Sequence, residues 1–117
     1  MVSKFQSLKK NREFQAVYKE GKSRVNRLFV MIVLENHLPY NRVGISASKK
    51  VGNSIVRHRI TRVVREVMRL HWEEVTEGYD IVIVARAASG EASYPKFESA
   101  IIHLLKNHHL LKEIKRD

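Results

Sequence analysis

Arg57, Arg59, Arg62 and Arg65, with His58 set between the first two, are the residues of this chain whose types and spacing best suit chemistry with another molecule. A guanidinium is planar, permanently charged and carries parallel N–H donors that match the oxygens of a phosphate. His58, Arg62, Arg65 and Arg69 recur at steps of four, three and four, which places them on one side of a helix, with Arg57 and Arg59 flanking. Ile55, Val56, Ile60, Val63, Val64, Val67 and Met68 form the apolar side. Lys49 and Lys50 lead into the segment, and Glu66 is its single acid. A helix kept soluble by salt bridges would alternate its signs. This one leaves its cations uncompensated, which points to a polyanion. Dense Arg with few Asn or Gln favours phosphate contacts over the reading of base edges, which argues against a DNA-sequence reader.

The surrounding elements have to position that face. Gly52-Asn53 is a turn signal, and Asn53 is placed to cap a helix running from 53 to 69. Residues 27–35, RLFVMIVLE, read as a strand covered on both faces, as do 79–86, YDIVIVAR. In RVGISAS, residues 42–48, Val43, Ile45 and Ala47 alternate with Arg42, Gly44, Ser46 and Ser48. The second set is small and polar, as if something approaches the sheet closely there. The strands at 27–35 and 42–48 are expected to pair as a hairpin across HLPYN. A first helix is expected from Asn11, as cap, to Glu20, ended by Gly21, and a last one from Ser93–Pro95 with Phe97, Ile101, Leu104 and Leu105 inward. Residues 1–10 read as a mobile basic arm and 108–117 as a fraying end. The order helix, strands, helix, strand, helix predicts an α+β fold, a mixed α/β sandwich in one domain spanning 1–117.

Charge is divided along the chain. Residues 1–69 hold 16 Lys and Arg against 4 Asp and Glu, net +12, whereas 70–117 hold 6 against 8, net −2. The overall +10 therefore resides on the part that ends with the Arg-rich helix and marks an anionic partner. The absence of Cys excludes disulfides and thiolate zinc sites. No signal-peptide pattern or membrane-length apolar run occurs, so a cytoplasmic protein is expected.

A self-contained active site is not apparent. Glu13, Glu20 and Glu35 are scattered, and the acids at 73, 74, 77 and 80 read as a solvated turn. His103, His108 and His109 lack the spacing of a zinc helix and read as solvent-facing. Phe14, Val17 and Tyr18 share one side of the first helix. Core packing is the ordinary reading, yet two aromatics among Lys10, Arg12, Lys19 and Lys22 also suit a platform for unstacked bases.

The run KKVGNSIVRHRITRVVRE closely resembles the signature of the protein subunit of bacterial ribonuclease P: a Lys pair, a Gly-Asn turn, then an Arg-Asn-Arg helix. LKKNREFQAVYKEGKS, NRLFV, RVGISASKK and DIVIVAR follow that family's order and spacing, so nearly the whole chain is covered. The resemblance implies a two-layer fold like a ribosomal-protein domain, with a left-handed strand–helix–strand crossover against the usual hand. It implies that Lys49, Lys50, Asn53, Arg57, His58, Arg59, Arg62 and Arg65 contact a catalytic RNA. It further implies that a cleft lined by Arg12, Phe14, Tyr18 and Ile32 receives the single-stranded 5′ leader of precursor tRNA. Two departures stand out: His58 replaces the signature Asn, and Ile32 stands where the cleft often has Tyr. Cleavage would then belong to the RNA and its Mg²⁺ ions, with no catalytic residue, metal ligand or organic cofactor in the protein. The rivals are a structural, ribosomal-type RNA-binding protein, which has no use for a leader cleft, and a membrane-surface helix, whose apolar side the sheet needs instead.

Overall fold

The structure is a computed structural model that describes residues 6–112. Five strands, β1 (Gln6–Ser7), β2 (Lys22–Val25), β3 (Phe29–Glu35), β4 (Arg42–Ser46) and β5 (Tyr79–Ala85), form one sheet in the order β1-β4-β5-β3-β2. β1, β4 and β5 run parallel; β3 is antiparallel to β5, and β2 to β3. Helices α1 (Asn11–Glu20), α2 (Ser54–Leu70) and α3 (Tyr94–Asn107) complete the α+β fold. β5 lies in the middle, and its residues are buried or half-buried throughout, as its uninterrupted apolar pattern requires.

The expected β3–β4 hairpin does not form. β3 and β4 each pair with β5, from opposite sides. The link between them is tied elsewhere: Asn36 donates to the Asp80 carboxylate at 2.9 Å, and Asn41 donates to the Thr76 carbonyl and accepts from the Tyr79 N–H. The hairpin partner of β3 is β2, a short, fully exposed strand the sequence pattern did not reveal. The described part of the expected mobile arm, from Gln6 on, is likewise held against the sheet. Gln6 and Ser7 pair with Arg42 and Val43, and Leu8 is buried. Residues 1–5 and 113–117 lie outside the described residues.

The two faces of the sheet are covered unequally. Against one lie α2 and α3, enclosing the main core with Phe29 and Phe97 edge-to-face at 5.4 Å and the expected stripe Phe97, Ile101, Leu104 and Leu105 fully buried. Against the other lies only α1, over a small cluster of Leu8, Val17 and Val82 with half-buried Phe14, Ile32, Leu34 and Val84. The first helix begins at Asn11, the expected cap itself, so the cap falls one residue earlier, on Lys10, with Glu13 reaching back to the Lys10 N–H at 3.0 Å. From His108 to Lys112 the segment after α3 is anchored rather than frayed. Half-buried His108 donates Nε2–H to the Met31 carbonyl at 2.9 Å, Leu111 bridges Val75, and Lys112 pairs with Glu77. Burial lowers the His108 pKa, favouring the neutral donor.

His71, at the end of α2, joins Glu74 at Nδ1 and Glu98 of α3 at Nε2, both at 2.8 Å. Burial opposes its charge, but the hydrogen bonds to the two carboxylates outweigh it and raise the pKa. A raised native pKa stabilises fully below the unfolded value of about 6.5 and is lost as pH climbs through the native one. Thermal denaturation of His71→Gln should therefore fall below the parent at pH 6 by a few degrees, on the order of 1 kcal/mol, with the gap narrowing by pH 8.5. A gap independent of pH would show that the imidazolium is not the stabilising form.

Candidate nucleic-acid interface

The basic helix is launched by a sharp elbow. Ser48 accepts the Lys50 N–H and opens a 3₁₀ turn, Lys49–Val51, which leaves both lysines exposed. The chain then turns at Gly52 with φ +148° and ψ −172°, a conformation essentially reserved for glycine, and an added Cβ would lie 2.8 Å from Val56. Asn53 caps α2 as expected, its side chain accepting the Val56 N–H at 3.0 Å. The first turn of α2 thus follows the lysine pair directly.

Packing then sorts the side chains by azimuth. Ile60, Val64, Val67 and Met68 are fully buried. Ile55, read with the apolar stripe, instead stands 78% exposed on the side of Arg62, because in the first turn it points away from the sheet. His58, Arg62 and Arg65 are exposed and form no ion pair among the described residues. Arg69 shares their side but is bound by Glu66 at 2.9 Å. The flanking arginines differ from these. Arg59 donates to the Ala92 carbonyl at 2.8 Å and lies over the Phe97 ring at 5.7 Å, so it partly serves to dock α2 on the chain before α3. Arg57 is half-buried, with Nε shielded and lacking a hydrogen-bond partner. Several of the acids are engaged elsewhere, by Arg42, Arg69, His71 and Lys112. The positive field of Lys49, Lys50, Arg62 and Arg65 is therefore left for an outside partner.

A second surface lies across the sheet, beside α1. Val17 anchors the helix, while Phe14 is half-buried and Tyr18 is 41% exposed, their ring centres 6.5 Å apart. Phe14 lies on Gly44: a Cβ there would come within 2.5 Å of the ring. The small face of β4 is thus explained by Phe14 itself. Ile32, half-buried, belongs to the same cluster, and Arg12 is exposed at the start of α1. Beyond them the sheet presents half-buried Val30 and Val84 and 53% exposed Val25, an apolar floor next to the two rings.

Arg42 and Asp80 were missed as a pair by the sequence reading. Asp80 is no part of a solvated turn; it is 5% exposed and accepts from Nε and Nη2 of Arg42 at 2.8 and 2.7 Å. Arg42 also reaches Glu13 of α1 at 2.6 Å. The hydrogen bond to Asp80 raises the Arg42 pKa, and the Lys10 backbone N–H, with Arg42 assisting, lowers that of Glu13. The only sequence signal was a charged residue at the start of each strand, and cross-strand register is what brings them together. Among the described residues no group of three or more His, Asp or Glu side chains is placed to hold a metal ion, and no helix is long and apolar enough to cross a membrane.

A mixed α/β protein with exposed, unpaired arginines on one side of its sheet and an aromatic-edged apolar surface on the other is of the RNA-binding class. The Ribonuclease P family model matches residues 2–109, and the chain belongs to that family. It is 50% identical over 112 residues to the ribonuclease P protein component of Lachnoclostridium phytofermentans, covering 96% of this chain and 97% of that one. The Staphylococcus aureus RNase P protein superposes with a TM-score of 0.86 at 34% identity, covering 93% of this chain and all of that one. The Thermotoga maritima RNase P protein does so with 0.80 at 30% identity, covering 87% and 96%. The chain is accordingly a protein subunit of the ribonuclease P ribonucleoprotein, and the RNA of that complex is its partner.

Proposed function

We propose that the two surfaces divide the work of the complex between two RNAs. Lys49, Lys50, Arg62 and Arg65, with Asn53, Arg57, His58 and Arg59 beside them, hold the catalytic RNA through its phosphates. The cleft of Arg12, Phe14, Tyr18 and Ile32 takes the single-stranded 5′ leader of precursor tRNA, its bases stacking against the rings. The complex acts as an endoribonuclease in the cytoplasm. Water adds to the phosphorus at the junction, the leader departs with a 3′-hydroxyl, and the mature tRNA keeps a 5′-phosphate. Mg²⁺ held by the RNA would supply the activated water and stabilise the departing oxygen. Among the described residues no cluster of acids is placed to hold that ion, and Glu13 and Asp80 are spent on Arg42. The protein contributes leader affinity and offsets phosphate repulsion between the two RNAs.

The observation that carries this reading is the pairing of an exposed arginine face, whose Arg62 and Arg65 make no ion pair among the described residues, with an aromatic-edged apolar surface on the opposite side of one sheet. A purely structural RNA-binding protein would need the first alone. The test is reconstitution of protein, catalytic RNA and precursor tRNA at low Mg²⁺. Correct 5′ cleavage should require the RNA and rise steeply on adding protein. Cleavage by protein freed of RNA, or no response to protein, would refute it.

A further inference from the structure

The layer that carries Phe14 and Tyr18 is thinly held. Among the described residues only Leu8, Val17 and Val82 are buried in it, whereas the α2–α3 layer buries twenty-one. Apolar packing of that extent leaves the height and rotation of a ten-residue helix weakly determined. Arg42 supplies the missing constraint. Its guanidinium is locked bidentately onto Asp80 of β5, the directly opposite residue in the register, and its other Nη holds Glu13 of α1. Asp80 is fixed in turn by Asn36. Glu13 keeps its second oxygen on the N–H groups of Lys9 and Lys10, so the same carboxylate ends the helix and ties it down.

The next residue of α1, Phe14, meets the sheet at Gly44, the next position of β4 on the same face. Residues 13 and 14 are thus held at 42 and 44, one by charge and one by shape. Tyr18 follows one turn later at the edge of the cleft.

We propose that Arg42 is a positioning residue for leader recognition: bridging Glu13 and Asp80, it sets α1 so that Phe14 and Tyr18 stand preformed for unstacked leader bases. Preforming the platform removes an ordering cost that binding would otherwise bear. The proposal rests on the leader-cleft reading and goes beyond it in naming what builds the cleft.

Glu13→Gln keeps an amide oxygen to cap α1 but gives up the ion pair; Arg42→Gln breaks both links. Each is assembled with the catalytic RNA and tested for cleavage of precursor tRNA and for binding of mature tRNA, which lacks the leader. Both variants should raise KM for precursor tRNA about five- to tenfold, with kcat and the affinity for mature tRNA unchanged. Added to Phe14→Ala, Glu13→Gln should have little further effect, because its influence passes through that ring. Since Arg42→Gln strips partners from a buried carboxylate and can unfold the chain, Glu13→Gln decides the matter. Wild-type KM for Glu13→Gln, equal losses of affinity for precursor and mature tRNA, or full additivity with Phe14→Ala overturns the positioning role. If Phe14→Ala alone discriminates on the leader and Glu13→Gln does not, the inference fails and the cleft stands. If Phe14→Ala fails to discriminate, both fall.

Discussion

Replacing Arg62 and Arg65 together by alanine should weaken binding of the catalytic RNA about 100-fold at near-physiological salt while leaving the fold intact. Both side chains are exposed and make no ion pair among the described residues, so their removal costs little stability. Each charge-assisted contact to phosphate is worth roughly 1–1.5 kcal/mol after screening, or about tenfold. The more diagnostic quantity is the salt dependence. Each phosphate neutralised releases counterions and contributes about 0.7–0.9 to the slope of log affinity against log salt, so the double variant should be shallower by about 1.5. Thermal denaturation and binding titrations at several ionic strengths check both halves. An unchanged slope would move the RNA to another face of the protein. Arg59 suits this experiment less well, because its bond to Ala92 and its position over Phe97 would mix lost affinity with lost packing. Arg69 is already compensated by Glu66.

That contrast also shows what could be read from the sequence. The existence and direction of α2 were legible because a cap, a 3.6-residue period and a run of one charge are local signals, and Asn53 performs the expected role. The division of labour among its arginines was not. Arg59 and Arg62 are alike in type and differ only in azimuth relative to α3, which no single helix pattern contains. Ile55 failed for the same reason: being apolar does not tell a side chain whether the sheet extends beneath it. Strand existence was legible in β3, β4 and β5, but their pairing was not. Two neighbouring apolar runs suggest a hairpin, whereas β5, more than thirty residues after β4 by the chain numbering, inserts between them. The Arg42–Asp80–Glu13 bridge depends on that insertion, so it stayed hidden while each charge looked like an ordinary element boundary. Gly44 was the one long-range clue available. Its small face signalled a close approach, and the approaching group is Phe14 of the same chain.

Phe14→Ala should lower affinity for leader-bearing precursor tRNA about tenfold, with affinity for mature tRNA unchanged. Stacking of one base on an aromatic ring contributes roughly 1–3 kcal/mol, and the half-buried ring beside exposed Tyr18 leaves one edge for it. The substitution also uncovers Gly44 and removes packing from a cluster with three buried members, so a stability loss on the order of 1–2 kcal/mol accompanies it. The two effects separate by substrate, since lost packing cannot distinguish a tRNA that has a leader from one that lacks it. Gly44→Ala approaches the same contact from beneath. Its Cβ would sit 2.5 Å from the far atoms of the Phe14 ring and 3.2 Å from Leu8, so the ring has to swing while its chemistry is kept. A partial leader-specific loss in Gly44→Ala and a full one in Phe14→Ala would show that ring placement, as well as ring presence, sets recognition. Equal losses on both substrates in either variant would mean that Phe14 is a packing residue and that the leader binds elsewhere.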